Sequence, residues 1–178
     1  MLTLASASPQ RRAILAQLGV EFEVVVPEVD ELTEGDPRAT VVENAVRKAR
    51  AVQGDLVLAA DTEVVLDGRV FGKAADAAEA ELFLRRLSGR THEVWGGLAL
   101  RNGRNERTAS AVTRVRFRRL EAAELAWYIG TGEWRERAGA YAIQGRGAAL
   151  VEEIEGDFWN VVGLPVAELV KLAPELLA

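Results

Sequence analysis

Apolar and polar positions along the chain alternate in blocks that predict a mixed order of strands and helices. The apolar segment Leu2 to Ala5 predicts a short buried strand. Ser8 and Pro9 suit the cap and the first position of a helix, which ends near Gly19. The β-branched segment Phe22 to Val26 predicts the next strand. The chain therefore begins with a strand, a helix and a second strand.

An acidic loop, residues 28–36, separates this beginning from a second predicted helix. Thr40 and Glu43 have the spacing of a capping box, which predicts a helix that begins there and runs to about Ala51. The continuous apolar segment Leu56 to Ala60 is typical of a strand buried on both faces. The same α/β alternation thus continues through the first third of the chain.

A hairpin and several further elements are predicted in the rest of the chain. Asp67-Gly68 is a strong signal for a two-residue hairpin loop. Asp76 and Glu79 have cap spacing for a helix through Leu87. Later segments predict strands near 93–100 and 109–117, a helix near 121–129, a glycine-rich loop over 139–147, a strand near 149–154 and a helix from Val166. We expect a mixed α/β fold with a substantial antiparallel part.

Composition limits the classes of protein that this pattern can represent. The 178 residues are 49% hydrophobic and 28% charged, which suits one globular domain over 1–178. The net charge of -5 argues against a general nucleic-acid binder. The sequence has no cysteine, which excludes disulfides, thiolate zinc sites and cysteine nucleophiles. Neither a signal peptide nor a membrane-spanning segment is evident, so we expect a cytoplasmic protein without a membrane partner.

The first strand leads directly into a capped helix that carries several groups able to bind an anion. Unpaired backbone N–H groups and the helix dipole favour negative charge at such a helix start. Ser6, Ser8, Arg11 and Arg12 add hydroxyl and guanidinium donors suited to phosphate oxygens. An ordinary helix cap with a solvated arginine pair explains the same residues equally well.

Asp61 follows the buried strand at the position where open α/β sheets place ligands. The hairpin at Asp67-Gly68 pairs Val64 with Phe71, and the continued register sets Thr62 against Lys73. Lys73 is therefore expected within a residue of Asp61. A carboxylate and an ammonium that converge there suit attack on a phosphate. A capping aspartate or a surface ion pair would give the same sequence.

Other residues are weaker candidates when each is taken alone. Glu31 lies in the acidic loop, and Lys48 lies on the second predicted helix. Gln144 lies beside Gly145, where a glycine permits close approach to a ligand. Its amide both donates and accepts, so it could bind the edge of a pyrimidine. Each of the three also suits an ordinary solvated surface position.

Three further features favour structural roles. His92, the only histidine, precedes a predicted strand and is more typical of a structural residue than of a catalytic one. Arginines at 114, 116 and 118 share one face of a strand, which indicates a solvated face more than a nucleic-acid surface. Tryptophans at 127, 134 and 159 favour the core or an interface.

Taken together, these segments resemble the Maf family of nucleoside triphosphate pyrophosphatases, also called septum-formation inhibitor proteins. The resemblance covers nearly the whole chain. It is carried by LASASPQRRAILAQLG, PEVDE, ENAVRKARA, AADTEVVLDGRVFGK, LSGRTHEV, AGAYAIQG and GDFWNVVGLPV. Gln10 and Ala74 depart from the usual family pattern, and neither removes a group that the chemistry needs.

The resemblance implies an elongated twisted sheet flanked by helices, similar to that of inosine triphosphate pyrophosphatases. It also implies hydrolysis of a nucleoside triphosphate between its α- and β-phosphates with a divalent cation, Mg²⁺ or Mn²⁺. Asp61 matches the family's proton acceptor, and with Glu31 it would hold the metal. The polar catalytic and phosphate-binding positions are matched by Ser6, Ser8, Arg11, Glu31, Lys48 and Lys73.

Substrate choice in the family is associated with the positions of Arg11, Thr62 and Gln144. Asp61-Thr62 is similar to the branch that acts on dTTP and UTP, whereas the branch that prefers 7-methyl-GTP typically has Asp-Gln there. That second activity and a nucleotide-binding regulator of septum formation are the alternatives. A homodimer is implied by the resemblance alone.

Overall fold

One sheet of seven strands runs through the chain in the computed structural model, which describes residues 1–177. Its order is β2-β1-β3-β5-β6-β7, with β4 paired to β3. The strands are β1 (Leu2–Ala5), β2 (Phe22–Val25), β3 (Leu56–Leu66), β4 (Arg69–Phe71), β5 (Thr91–Asn102), β6 (Asn105–Phe117) and β7 (Val151–Glu155). β1 pairs in parallel with β2 and β3, whereas the β3–β4 and β6–β7 pairs are antiparallel. The mixed α/β class is therefore confirmed.

Helices join most of these strands. They are α1 (Pro9–Gln17), α2 (Pro37–Ala51), α3 (Ala77–Leu87), α4 (Ala122–Thr131), α5 (Phe158–Val162) and α6 (Val166–Leu172), with 3₁₀ turns at Arg146–Leu150 and Pro174–Leu177. Within residues 1–177, none of them has the length and apolar character needed to span a bilayer.

The contacts divide the chain into two compact units. The first contains residues 1–62, 95–111 and the C-terminal segment from Asp157, and the second contains residues 63–94 and 112–156. The strands β3, β5 and β6 contribute residues to both. That the whole chain is a single domain stays a prediction.

In the first unit, apolar side chains cover both faces of the sheet. Residues alternate along β3, so Val57 and Ala59 face one way and Leu58 and Ala60 face the other. The first face packs against α2 through the small residues Ala5, Ala45, Val46, Ala49, Val52 and Ala99. On the opposite face, Leu4 of β1 and Leu98 and Leu100 of β5 pack with larger side chains of the helices. These are Ile14 and Leu15 of α1 and Leu169 of α6. Burial on both faces explains why β3 begins as a continuous apolar segment.

Gly97 in β5 sets how closely α2 approaches the sheet. A Cβ atom at this position would lie 2.2 Å from the backbone oxygen of Val41 and 2.4 Å from its carbonyl carbon. Both atoms belong to the backbone of α2, so rotation of a side chain could not relieve the overlap. Only glycine fits between this strand and this helix.

The second unit has a core of aromatic and aliphatic side chains. Phe71 packs edge-on against Phe83 of α3 at 5.2 Å between ring centroids. His92 makes edge-on contacts with Phe117 and Tyr141, and its Nε2 lies 2.8 Å from the Tyr141 hydroxyl. Burial lowers the pKa of His92 from 6.5 to about 4, so the ring is neutral at physiological pH. The structural role expected for this histidine is confirmed.

Two predicted boundaries are wrong. The second helix begins at Pro37 with Asp36 as its cap, because the Asp36 carboxylate accepts the Ala39 N–H at 2.9 Å and proline suits the first helical position. Thr40 therefore lies inside the helix and forms no capping box. Asp61 does not end its strand, since β3 continues to Leu66 to form the hairpin with β4.

The Asp67-Gly68 hairpin itself is confirmed. Leu66 pairs with Arg69, and Val64 pairs with Phe71, in the predicted register. Asp67 and Gly68 adopt φ values of 50° and 72°, which a two-residue hairpin loop of this kind requires.

Candidate active site

The start of α1 is organised by two serine hydroxyls. The Ser8 hydroxyl accepts the Arg11 N–H at 3.4 Å and so caps the helix, as predicted. It also donates to Oε1 of Gln10 at 2.9 Å. The buried Ser6 hydroxyl accepts the Ser8 N–H at 3.1 Å. The turn between β1 and α1 is therefore held by side chains. The Arg12 N–H donates to the Ser8 carbonyl at 3.4 Å and Pro9 has no N–H, so the expectation of several unpaired N–H groups at this helix start is wrong.

Arg11 is the central cation of this turn. Its Nε donates to the Gly163 carbonyl at 2.8 Å, its Nη1 to the Ser6 hydroxyl at 3.2 Å, and its Nη2 to the Thr62 hydroxyl at 3.1 Å. Burial lowers the pKa of Arg11, and the negative charges of Asp61 and Glu31 act in the opposite direction. The guanidinium stays protonated and has a fixed orientation.

Arg12 differs from its neighbour. Its side chain is exposed, and Nη2 makes one long contact with the Ala7 carbonyl at 3.5 Å. The two adjacent arginines predicted to act together therefore have different environments. Arg11 is built into the site, whereas Arg12 lies at the surface.

Asp61 and Lys48 form a buried ion pair across the interface between β3 and α2. Lys48 Nζ lies 2.6 Å from Asp61 Oδ1, and each side chain is only 8% exposed. Asp61 has the same parity along β3 as Val57 and Ala59, so its carboxylate faces α2. A charged pair in this position is costly to bury unless it is fully hydrogen-bonded.

Glu31 joins the same lysine from the acidic loop. Its Oε1 lies 2.6 Å from Lys48 Nζ, and its side chain is half-exposed. One ammonium thus holds two carboxylates, one from the sheet and one from the loop. The structure brings Glu31, Lys48 and Asp61 together as a cluster, although nothing in their spacing along the chain required it.

Asn44 is the residue in this cluster that the sequence did not reveal. It is 1% exposed, and its Nδ2 donates to Asp61 Oδ2 at 3.0 Å. It lies one turn before Lys48 on α2, so both side chains face Asp61. The i, i+4 spacing of an amide and a lysine on one helix face was the available signal.

The two carboxylates suit a hard divalent cation. Asp61 Oδ1 and Glu31 Oε1 each lie 2.6 Å from the Lys48 ammonium. Carboxylate oxygens are the ligands that Mg²⁺ prefers, and Mg²⁺ is often held by one or two carboxylates together with phosphates and water. Among residues 1–177 no group of three or more His, Cys, Asp or Glu side chains is arranged to hold a metal. The remaining ligands would therefore come from substrate and solvent.

Lys73 and Gln144 belong to the second unit. Lys73 is exposed, its Nζ lies 2.8 Å from Glu136 Oε2, and its backbone bridges to Ala138. Its approach to Asp61 stays a prediction. Gln144 is exposed in the loop before the 3₁₀ turn at Arg146–Leu150.

The loop that carries Gln144 is fixed at both ends. The buried Tyr128 hydroxyl accepts the Ala142 N–H at 2.9 Å. The Glu133 carboxylate accepts the N–H groups of Arg146 and Gly147 at 3.1 and 3.3 Å. Gln144 thus lies on a short segment whose backbone is anchored on either side. Neither anchor was identified from the sequence, because each acts through the backbone of a distant segment.

The alternating arginines of β6 contact acidic side chains. Arg114 pairs with Glu155, and Arg116 pairs with Glu152 and Glu153. Such pairs are typical of a solvated sheet face. That the protein has no nucleic-acid partner stays a prediction.

The fold and the site define an α/β protein with hydroxyl and guanidinium donors at the start of α1 and a buried aspartate–lysine pair between β3 and α2. The chain belongs to the Maf-like protein family, whose family model matches residues 1–176. The resemblance noted in the sequence is therefore confirmed.

Named relatives are similar over almost their whole length. The chain is 52% identical over 177 residues to the dTTP/UTP pyrophosphatase of Symbiobacterium thermophilum, with 96% of this chain and 91% of that protein covered. It is 49% identical over 174 residues to the dTTP/UTP pyrophosphatase of Thermus thermophilus, with 96% and 92% covered. For the dTTP/UTP pyrophosphatase of Pyrococcus furiosus the identity is 44% over 179 residues, with 96% and 93% covered.

A solved structure, that of the Ham1 protein of Staphylococcus aureus, is similar to part of the chain. It covers 65% of this chain and 71% of its own, with 16% identity and a TM-score of 0.47. A likeness at this level supports no conclusion about the site.

Proposed function

We propose that the protein is a dTTP/UTP pyrophosphatase, which hydrolyses the bond between the α- and β-phosphates to give the monophosphate and pyrophosphate. The relatives that bear this name support the substrate class. The observation that carries the chemistry is the hydrogen bond of 3.1 Å between Arg11 Nη2 and the Thr62 hydroxyl. It joins the turn between β1 and α1 to the residue next to Asp61, and the charges of Asp61 and Glu31 act on Arg11. Both observations support our proposal that phosphate donors and a carboxylate base act in one site.

The reaction needs a water activated for in-line attack on the α-phosphorus. The new bond joins the water oxygen to that phosphorus, and the bridging P–O bond breaks as pyrophosphate leaves. Asp61 is the proposed proton acceptor for that water, since a carboxylate within hydrogen-bond reach can take the proton. No covalent intermediate with the protein is required.

Charge on the phosphates has to be neutralised as the bond breaks. Arg11 donates from a fixed position, and Lys48 balances the negative charge of Asp61 and Glu31. Lys73, exposed in its pair with Glu136, is proposed to reach the phosphates from the second unit. Ser6, Ser8 and the exposed Arg12 are proposed to add donors at the start of α1.

The carboxylates of Asp61 and Glu31 are the proposed ligands of Mg²⁺ or Mn²⁺. When bound, the cation would neutralise charge on the phosphate oxygens. Asp61 is also proposed to orient the attacking water, and Lys48 Nζ holds its carboxylate in place at 2.6 Å.

Selection of the base is proposed to depend on Thr62 and Gln144. Thr62 accepts from Arg11 and lies 3.4 Å from the Gly163 carbonyl, so its hydroxyl helps to fix the guanidinium. Gln144 presents an exposed amide whose donor and acceptor complement the carbonyl and N–H edge of a thymine or uracil.

Replacement of Asp61 by Asn tests the assignment. The substitution keeps size and removes the base, so we expect pyrophosphate release from dTTP and UTP with Mg²⁺ to fall by about 100-fold or more. The exposed Asp55→Asn provides the control, because Asp55 lies just before the same strand and outside the site. Near-normal turnover of the Asp61→Asn enzyme would contradict the proposal.

A panel of dTTP, UTP, CTP and 7-methyl-GTP tests the substrate class. We expect dTTP and UTP to give the highest kcat/KM. Preference for 7-methyl-GTP would place the protein in the other branch of the family. Homodimer formation and the cytoplasmic location stay predictions.

A further inference from the structure

Asn44 makes three hydrogen bonds that connect two parts of the site. Its Nδ2 donates to Asp61 Oδ2 and to the Leu32 carbonyl, both at 3.0 Å. Its Oδ1 accepts the Leu32 N–H at 2.7 Å. The side chain therefore makes one hydrogen bond to the carboxylate of Asp61 and two to the backbone of Leu32.

The amide chemistry of asparagine is required for this arrangement. A buried side chain here must supply two donors, one for a carboxylate and one for a carbonyl, together with one acceptor for an N–H group. Only an amide offers that set in so small a volume. Because Asn44 is 1% exposed, water cannot replace a bond that is lost.

Both oxygens of Asp61 are held from the same helix. Lys48 contacts Oδ1 at 2.6 Å and Asn44 contacts Oδ2 at 3.0 Å, so the plane of the carboxylate is fixed. Lys48 also holds Glu31, which directly precedes Leu32 in the acidic loop. Asn44 thus fixes both the carboxylate of Asp61 and Leu32, the loop residue next to Glu31.

We propose that Asn44 is a positioning residue, which holds the carboxylate of Asp61 and the acidic loop in a fixed position relative to each other. Asp61 and Glu31 can then present their oxygens to one substrate. This inference rests on the proposed pyrophosphatase activity. Asn44 itself contacts no reacting atom. Its effect on the reaction passes through Asp61 and Glu31.

Thr40 provides a matched control on the same helix. It lies one turn before Asn44, is 4% exposed, and its hydroxyl donates to the Glu34 carbonyl at 3.3 Å. Thr40→Val therefore removes a partly buried hydrogen bond between the same helix and the same loop, and this bond does not involve Asp61. A merely structural role for Asn44 would make the two substitutions equivalent.

The experiment compares wild type, Asn44→Ala, Asn44→Asp and Thr40→Val in the full chain. We measure kcat and KM for dTTP with Mg²⁺, the free energy of unfolding in urea, and amide exchange in the acidic loop. Loss of a partner that orients a catalytic group typically lowers activity by about 10- to 100-fold. We expect a fall of that size in kcat for both Asn44 variants, with little change in KM and with wild-type-like kcat for Thr40→Val. Amide exchange in the acidic loop should be faster in Asn44→Ala.

Equal kcat values for Asn44→Ala and Thr40→Val, at similar losses of stability, would overturn the inference while leaving the proposed activity intact. If Asn44→Ala does not fold, Asn44→Asp decides, since it keeps the shape and the acceptor for Leu32 but sets a carboxylate against Asp61. Wild-type kcat in Asn44→Asp would then overturn the inference. If the wild-type protein releases no pyrophosphate, the proposed activity is wrong. Separately, an unchanged rate of amide exchange in the acidic loop of Asn44→Ala would refute the positioning role.

Discussion

At the scale of single residues, the site depends on one ammonium that holds two carboxylates. Lys48 lies between Asp61, which is buried, and Glu31, which is half-exposed. Without Lys48, the buried carboxylate of Asp61 would have no cation beside it. Removal of one partner from a buried pair costs far more than the pair contributes, because the other charge is left uncompensated.

Lys48→Met should therefore lower the free energy of unfolding by about 3 kcal/mol and nearly abolish pyrophosphate release. Urea denaturation followed by fluorescence measures the first effect. Lys171→Met is the matched control, since Lys171 is 71% exposed in its pair with Glu168 and should change stability by less than about 1 kcal/mol. Equal denaturation midpoints for the two variants would show that the Lys48 pair is not buried as described.

Sequence reasoning at this scale succeeded where a residue's role follows from its neighbours in the chain. Ser8 caps α1, and Asp67-Gly68 forms the hairpin, because caps and turns are local. Asn44 was missed because an asparagine inside a helix is defined only by what it meets across the fold. The same holds for Glu133, whose partners lie 13 and 14 residues away.

At the scale of elements, α5 and the turn after it supply a backbone carbonyl to the site. Gly163 caps α5 at φ 135°, and its carbonyl accepts from Arg11 Nε at 2.8 Å. The Asp157 carboxylate accepts the N–H groups of Trp159 and Ala167, so it fixes the segment on both sides of the turn. This five-residue helix was not predicted, because so short an apolar segment carries no helical period.

Gly163→Ala should weaken the site through this turn. A side chain at φ 135° costs about 1 to 3 kcal/mol, and any relaxation moves the carbonyl away from Arg11. We expect lower stability together with a lower kcat/KM for dTTP. Gly130→Ala in α4 is the control: a Cβ there meets nothing within 4 Å, and alanine favours helix, so stability should rise by up to about 1 kcal/mol. A Gly163→Ala enzyme with wild-type kcat/KM would mean that Arg11 does not depend on the turn.

At the scale of the whole molecule, the aspartate–lysine cluster and the turn between β1 and α1 lie in the first unit, whereas Lys73 and Gln144 lie in the second. The α/β class and most elements could be predicted, since each has its own local pattern. The partition into two units could not, because β3, β5 and β6 run on as single strands through both. Hydrophobic periodicity indicates that a strand is buried, but it does not indicate which of the two units the buried side chains pack in.

Global stability should depend on pH through the buried histidine of the second unit. The pKa of His92 is about 4 in the folded chain and 6.5 for an unperturbed histidine, so between these pH values the unfolded chain binds the additional proton. Stability is therefore full above about pH 6.5 and is lost as the pH falls toward 4. Between about pH 7 and pH 5 the loss due to His92 should be about 2 kcal/mol.

His92→Gln isolates this contribution, because glutamine can still bond the Tyr141 hydroxyl but does not titrate. Urea unfolding at both pH values should show a smaller loss for the variant than for wild type. Parallel losses in the two proteins would assign the acid sensitivity to carboxylates instead.

The contact of Gly97 with the backbone of Val41 also bears on how this chain can change over evolutionary time. Core side chains such as Ala45 and Val57 can be exchanged for others of similar volume, because neighbouring side chains adjust. A methyl group at Gly97 would overlap backbone atoms, which cannot rotate away as a side chain can. It would therefore displace α2, the helix that carries Asn44 and Lys48. A residue with no functional group thus limits which sequences can keep Asn44 and Lys48 in place beside the sheet.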